Sequence, residues 1–213
     1  MIKLTYFDFN FWRVDILRLS LSFSKIPYEF ERIKRQDWKE KKKKFPFGQL
    51  PVMEVDDKVF SHTHSLAKFC AKKASLYEED EFKVLIIDQV LDWANEITNH
   101  IAPSIRAAMR EKNLEKSKQL RKEFIKNDLE IWFCYLENLL DRSSEKKNFF
   151  TDKFGIADIT AWRIILWFTS GKLDQIDSNF LNKTPLLKKY YDGISNHEPF
   201  RKLQVYKEIL SGS

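Results

Sequence analysis

Segments with the composition of β-strands occur only in the first 60 residues of this chain, and helical patterns occupy nearly everything after residue 80. The predicted elements follow in the order strand 4–7, helix 13–23, strand 28–33, strand 50–55, strand 58–60 and helix 63–73. This βαβ-ββα order within the first 75 residues predicts a small α/β domain built on a mixed sheet.

Beyond residue 80 the apolar residues recur every three to four positions, which predicts amphipathic helices. We expect one long helix from residue 82 that is broken by Pro103, and a second one over residues 104–140. An almost wholly apolar pattern over residues 157–168 predicts a buried central helix, and a loop over residues 143–147 precedes it. Short helices follow between residues 180 and 210.

The 213 residues are enough for one large domain or for two small domains that each have a core. We place the α/β domain at residues 1–75 and an all-helical domain at residues 82–205. Cys70 and Cys134 lie in apolar helical runs, which excludes a disulfide framework and fits a reducing compartment. The four histidines and two cysteines lack the spacing of zinc ligands, so no metal is expected.

The chain is mildly basic, with 37 Lys and Arg against 31 Asp and Glu and a formal net charge of +6. The excess lysines cluster near residue 40 and no nucleic-acid reader motif is present, so we expect no nucleic-acid partner. No run approaches about 18 apolar residues, and the N-terminus lacks a charged leader with a cleavage site. We therefore expect no membrane partner and a cytoplasmic location.

Four motifs follow the order, and nearly the spacing, of a known family: LTYF at 4–7, DW at 37–38, PFGQLPVMEVD at 46–56 and GIAD at 155–158. The chain resembles the cytosolic glutathione transferases, most closely the sigma class that includes the glutathione-dependent prostaglandin D synthases. The resemblance extends from Lys3 to about residue 200. It implies a thioredoxin-like N-terminal domain, glutathione as co-substrate, an apolar electrophile as second substrate, and a homodimer into whose partner subunit Phe47 inserts.

Tyr6 ends the first strand, where an open α/β sheet places its ligand crevice. A phenol that donates a hydrogen bond to a thiolate lowers the pKa of the thiol below its ordinary value of about 8.5. The resemblance implies that this thiol belongs to glutathione and that Arg13 supports the pair electrostatically. The loop between Tyr6 and Arg13 is one residue longer than in the sigma class, and its aromatic segment FNFW at 9–12 replaces the usual Arg-Gly pair. This segment, with the helix ends near residues 98–109, is expected to line the pocket for the apolar substrate.

An X-Pro bond at the head of a strand can be cis, and a cis Leu50–Pro51 bond would turn the carbonyl and amide of Leu50 outward from the sheet. The alternative is a trans proline that simply begins an edge strand. The resemblance implies that Leu50 and Pro51 hold the cysteinyl part of glutathione and that Trp38, Lys42 and Gln49 hold its glycine end. Lys42 is assigned to this contact by counting from Trp38, and the neighbouring Lys41, Lys43 and Lys44 remain alternatives.

The resembled family has Gln-Ser before its second helix, and this chain has HTHS at residues 62–65. Thr63 aligns without gaps, whereas Ser65 requires two extra residues before it and two missing ones after it. We therefore assign His62 and Thr63 to the γ-glutamyl end; Thr63 offers a hydroxyl and an N–H at a helix N-terminus. Glu96 corresponds to an acidic residue that reaches across the dimer to the glutamyl ammonium, although an ordinary exposed Glu is the alternative there.

The resemblance implies an enzyme that conjugates glutathione to apolar electrophiles, or an isomerase of the prostaglandin-endoperoxide type that uses the same thiolate. The alternative is a non-catalytic relative that serves in ligand carriage, protein association or a structural role. The longer loop after Tyr6 and the replacement of Gln by His62 favour that alternative. The GIAD motif resembles the family's capping box, in which Asp158 accepts backbone N–H groups, so it concerns folding.

Overall fold

The computed structural model describes residues 1–143 and 145–212 and divides into two compact units. The first unit contains residues 1–84 and the C-terminal segment from residue 196 onward, and the second contains residues 85–195. The strands of the first unit are β1 (Ile2–Phe7), β2 (Tyr28–Ile33), β3 (Val52–Val55) and β4 (Lys58–Ser61). They form one sheet in the order β2-β1-β3-β4.

The sheet is mixed, since β1 pairs parallel with β2 and antiparallel with β3, and β3 pairs antiparallel with β4. The first unit also contains the helices α1 (Trp12–Phe23), α2 (Trp38–Lys41) and α3 (Thr63–Lys73). The βαβ-ββα order is confirmed, and with it the predicted thioredoxin-like fold class.

The core of this unit lies between the sheet and the helices α1 and α3. Leu17 of α1, Leu66 of α3 and Leu4 of β1 are at most 1% exposed, and each buried Leu stabilises the fold by about 2 kcal/mol. Cys70 of α3 lies with its Sγ 3.8 Å from the Sδ of Met53 in β3. Burial raises the pKa of the Cys70 thiol to about 12, so this cysteine acts as a small apolar core residue.

The chain returns to the first unit through the helices α9 (Glu198–Arg201) and α10 (Gln204–Ser211). Arg18 of α1 donates to Glu208 of α10, with Nη2 and Oε2 2.6 Å apart. Residues from 196 onward therefore group with the α/β unit, whereas the sequence places the helical domain over residues 82–205.

The helical unit begins within α4 (Glu81–Met109), and its further helices are α5 (Leu114–Phe124), α6 (Glu130–Ser143), α7 (Ile156–Thr169) and α8 (Pro185–Ser195). A π-helical turn over Ile125–Leu129 joins α5 to α6, and a 3₁₀ turn over Phe180–Lys183 precedes α8. Nearly every side chain of α7 is buried, which confirms the predicted central helix. In the described part of the chain, no helix combines the length and the apolar character needed to cross a membrane.

The prediction that Pro103 breaks the first long helix is wrong, because α4 continues through Pro103 to Met109. Proline removes the hydrogen bond to the carbonyl of Asn99, but both residues are exposed, so water can satisfy that carbonyl. Ile101 and Ala107 are buried on either side of Pro103 and keep the helix packed. Burial of these two side chains therefore outweighs the helix-breaking effect of proline.

The predicted second helix over residues 104–140 is wrong at its start and in its continuity. Residues up to Met109 belong to α4, and α5 begins only at Leu114, where the side chain of Asn113 accepts the N–H of Lys116 at 3.0 Å. This is an ordinary N-cap that the sequence reading did not use. In the predicted loop at 143–147, Ser143 ends α6 and Ser144 lies outside the described residues.

Asp158 holds the N-terminus of α7. Its carboxylate accepts the N–H of Gly155 at 2.8 Å, the N–H of Phe150 at 3.0 Å and the hydroxyl of Tyr190 at 2.7 Å. Two of these donors belong to the segment before the helix and the third to α8, so one side chain fixes three segments of the helical unit. Burial raises the pKa of Asp158 to about 7.

The raised pKa of Asp158 predicts that the helical unit loses stability as the pH rises toward neutrality. The folded chain keeps the Asp158 proton up to about pH 7, whereas the ordinary carboxyl releases it near 3.8. The stabilisation is therefore fully present below pH 3.8 and is lost as the pH rises through about 7. Urea unfolding followed by circular dichroism between these values should show this slope, and Asp158→Asn should flatten it. The exposed Asp57→Asn is the control and should keep the slope; an unchanged slope in Asp158→Asn would contradict the assignment.

Candidate functional site

The strand register brings three of the predicted site positions to one end of the sheet. Thr5 of β1 pairs with Val52 of β3, and Val52 pairs with Ser61 of β4. Because the pairing is antiparallel, the next residue in the same direction on each strand is Tyr6, Pro51 and His62 respectively. The three residues therefore lie side by side at the end of β1, β3 and β4, although they are far apart in sequence.

Tyr6 is only 4% exposed, and its ring packs edge-to-face with the rings of Phe7 and Phe9 at centroid distances of 5.6 and 5.7 Å. The guanidinium of Arg13, from the first turn of α1, lies 4.8 Å above the ring of Trp12. Burial lowers the pKa of Arg13, and the nearby Tyr6 acts in the opposite direction. The structure thus brings Tyr6 and Arg13 together despite the longer loop between them.

Trp38 begins α2 and is held by other aromatic side chains. Its ring meets the ring of Phe7 edge-on at 5.0 Å and stacks on the ring of Phe45 at 6.1 Å. Phe7, next to Tyr6 in sequence, therefore links Trp38 to the end of β1. The sequence analysis did not assign Phe7 and Phe45 to the site, although Phe7 is the last residue of the LTYF motif and Phe45 directly precedes the motif that begins at Pro46.

Lys42 lies against Gly48. A Cβ atom at Gly48 would be 2.8 Å from Cε and 3.2 Å from Cγ of Lys42, so the aliphatic part of Lys42 covers this glycine. Lys41 instead faces Glu31, with Nζ and Oε1 4.0 Å apart. Of these two lysines, Lys42 is the one that lies beside the segment leading into Gln49.

The Leu50–Pro51 bond is cis, as the first of the two readings expects. Pro51 is buried, Leu50 is half-buried and Gln49 is exposed. In the described part of the chain, no hydrogen bond is found for the backbone N–H or carbonyl of Leu50. These are the groups that an extended peptide can pair with at a strand end.

Thr63 is the first residue of α3 and is 7% exposed, while His62 before it is exposed and has a φ of +73°. The His62 ring packs against the ring of Phe47 at a centroid distance of 4.5 Å. The first N–H groups of a helix have no partner within the helix and favour a negative group. The N-terminus of α3 can therefore take a carboxylate beside His62 and Pro51.

Glu96 is an exposed residue of α4 in the helical unit, and its assignment to the glutamyl end stays a prediction. The expectation that the helix ends near residues 98–109 line the pocket for the apolar substrate also stays a prediction. Across residues 1–143 and 145–212, no group of three or more potential metal ligands is found.

A thioredoxin-like sheet with a tyrosine at the end of β1, followed by a helical unit, is the architecture of a glutathione-binding transferase. Family models of the glutathione S-transferase N-terminal and C-terminal domains match residues 2–65 and 99–206. The C-terminal match alone covers half of the 213 residues. The chain belongs to the glutathione S-transferase family, whose co-substrate is glutathione, and the resemblance inferred from its motifs is confirmed.

Individual relatives are distant. Glutathione S-transferase 3 of Caenorhabditis elegans is 28% identical over 142 residues, which are 67% of this chain and 68% of that protein. Hematopoietic prostaglandin D synthase of Homo sapiens is 33% identical over 90 residues, so the match spans 42% of this chain and less than half, 45%, of that protein. The crystal structure of monomeric Na-GST-3, a glutathione S-transferase of the hookworm Necator americanus, covers 99% of this chain and 96% of its own at 25% identity, with a TM-score of 0.76.

The left-handed backbone of Gly48, with a φ of +54°, predicts how substitutions there act. Gly48→Ala should lower the free energy of unfolding by about 1 to 2 kcal/mol, because a Cβ disfavours this conformation. Gly48→Asn places the same Cβ against Lys42 but tolerates positive φ, so it should cost clearly less. Urea unfolding of both variants tests this, and equal losses would show that contact with Lys42, and not the backbone, sets the cost.

Proposed function

We propose that this protein is a glutathione transferase that ionises the glutathione thiol and directs the thiolate at apolar electrophiles. The observation that carries the proposal is the placement of buried Tyr6 beside Arg13, at the sheet end where Pro51 and His62 also lie. A hydroxyl donor and a guanidinium beside one position favour a negative charge there.

The chemistry follows from that arrangement. The Tyr6 hydroxyl donates a hydrogen bond to the sulfur, and the charge of Arg13 stabilises it further, so the thiol gives its proton to solvent. Each unit by which the pKa falls corresponds to about 1.4 kcal/mol, and a fall of about 2 units from 8.5 makes the thiolate dominant at neutral pH. The sulfur electron pair then forms a bond to the electrophilic carbon, and the leaving group departs with its own bonding pair.

The rest of the tripeptide would be bound by the other residues at this end of the sheet. We assign the glycine carboxylate to the indole N–H of Trp38, the ammonium of Lys42 and the amide of Gln49. The N–H and carbonyl of Leu50, before the cis proline, would pair with the cysteinyl backbone. Thr63 at the N-terminus of α3 and His62 would hold the γ-glutamyl carboxylate, and Glu96 of the partner subunit would reach its ammonium across the dimer.

The second substrate would be apolar, because the loop after Tyr6 carries half-buried Phe9 and Phe11. The centroids of these two rings are 6.3 Å apart, and Phe9 also contacts Tyr6, so apolar surface continues outward from the phenol. We place the protein closest to the sigma class, and isomerisation of a prostaglandin-type endoperoxide is the particular variant of this chemistry suggested by its human relative. Two free cysteines suit action in the cytoplasm, where thiols stay reduced.

Tyr6→Phe tests the proposal directly. Loss of one hydroxyl donor should raise the pKa of the bound glutathione thiol and lower kcat for a chlorodinitrobenzene about 100-fold, while glutathione still binds. Tyr135→Phe is the matched control, because Tyr135 is 58% exposed on α6 of the helical unit, and it should leave kcat unchanged. An unchanged kcat in Tyr6→Phe would refute the assignment. Retention on immobilised glutathione without any turnover by the unaltered chain would favour the non-catalytic ligand carrier.

We further propose a homodimer in which Phe47 inserts into the partner subunit. Phe47 is 74% exposed, which is unusual for an aromatic side chain that is held against its neighbour His62. Light scattering should give twice the chain mass of 25.5 kDa, and Phe47→Ser should shift the protein to the monomer. Leu114→Ser, which changes a similarly exposed apolar residue, should not. A monomeric unaltered chain, as described for the hookworm relative, would contradict this proposal.

A further inference from the structure

The loop between β1 and α1 is held by several contacts. Asp8 N–H donates to the Ile33 carbonyl at 3.0 Å and Phe9 N–H to the Phe7 carbonyl at 2.8 Å, and the Phe11 carbonyl accepts the N–H groups of Val14 and Asp15 at 3.1 and 3.0 Å. The residue that precedes α1 is Phe11, whose side chain cannot accept a hydrogen bond from the helix N-terminus as Ser, Thr or Asp would. The helix that carries Arg13 therefore begins without a side-chain cap, so a contact between the loop and another element would help to hold its first turn.

Asn10 supplies such a contact. Its Nδ2 donates to the carbonyl of Glu208 in α10 at 3.2 Å, and its Oδ1 accepts from Nη2 of Arg32 in β2 at 3.1 Å. A side-chain amide can do both, because its NH₂ group donates and its oxygen accepts. A Cβ atom at Gly212 would lie 3.0 Å from the Asn10 Nδ2, so the chain after α10 also packs closely on this amide.

Glu208 is itself held in place. Its Oε2 accepts from Nη2 of Arg18 at 2.6 Å, and Arg18 also pairs with Asp15 at 3.7 Å while its Cζ lies 4.5 Å from the centroid of the Phe30 ring. Arg18 is 5% exposed, and within the described residues its Nε and Nη1 have no hydrogen-bond partner. Glu208 is thus the close hydrogen-bonded partner of a buried cation, and a buried cation is costly to leave unpaired.

The path from this contact to the candidate site is short. Trp12, which follows the loop, is 1% exposed, and the Arg13 guanidinium lies over its ring beside Tyr6. Asn10 is three residues before Arg13 in sequence, and Trp12 between them is buried. We propose that Asn10 is a positioning residue, which ties the loop to the C-terminal helix α10 and thereby fixes Arg13 beside Tyr6. This inference rests on the proposed function.

Asn10→Ala removes both ends of the contact. Asn10→Asp keeps the acceptor for Arg32 but places an oxygen opposite the Glu208 carbonyl, so it breaks the link to α10 specifically. Both variants should raise the pKa of the bound glutathione thiol and lower kcat about tenfold, because a small misplacement of a charged group is costly in catalysis. The KM for glutathione should hardly change, since its binding residues lie outside the loop.

The thiol pKa is read from the ultraviolet absorbance of bound thiolate as a function of pH, and urea unfolding is measured in parallel. Asn10→Gln, which keeps a donor and an acceptor, should recover part of kcat, and Asn127→Ala, an exposed asparagine of the helical unit, should match the unaltered chain. A normal thiol pKa and kcat in Asn10→Asp, or a loss of stability without a shift of the thiol pKa, would overturn the inference alone. Absence of bound thiolate in the unaltered chain would overturn both it and the proposed function.

Discussion

The candidate site depends on the antiparallel register of β3 between β1 and β4. Val52 and Met53 lie on opposite faces of the sheet and are both buried, whereas the next residue, Glu54, is exposed, so a slip of one residue in that direction would carry the Glu54 carboxylate into a buried position. The same register sets Pro51 and His62 beside Tyr6. Core packing and site assembly are therefore one constraint, imposed by apolar residues that take no part in any chemistry.

Each of the two units contains a buried ionisable side chain that joins several segments, but the two side chains are stabilised by different interactions. In the first unit the buried guanidinium of Arg18 is matched by carboxylates from α1 and α10. In the helical unit, the donors described for Asp158 from Phe150, Gly155 and Tyr190 are uncharged, and burial raises the pKa of Asp158 to about 7. The ion pair of Arg18 with Glu208 ties the C-terminal helix α10 to the α/β unit. The raised pKa of Asp158 makes the stability of the helical unit depend on pH up to about neutrality.

The elements set by local signals could be predicted from sequence. The bounds of α3 match the expected helix over residues 63–73, and the strands of the first unit were expected within a few residues of their ends. Pro103 shows the limit of such rules, since the helix continues where burial on both sides outweighs one lost hydrogen bond. The family could be predicted from the order of the motifs. The contacts that distinguish the two lysines could not, because Lys42 packs against Gly48 and Lys41 faces Glu31 only in the folded chain. Asn10 and its partner are 198 residues apart, so no local pattern could join them.

The thiols of both cysteines have raised pKa values. Burial raises the pKa of Cys70 to about 12; burial, and then the neighbouring Glu130 and Glu137, raise that of Cys134. Thiols that stay protonated react slowly with electrophiles. In the proposed reaction the nucleophile would be the thiol of glutathione, a small molecule that is replaced at each turnover, while the two thiols of the protein stay protonated and are protected from alkylation.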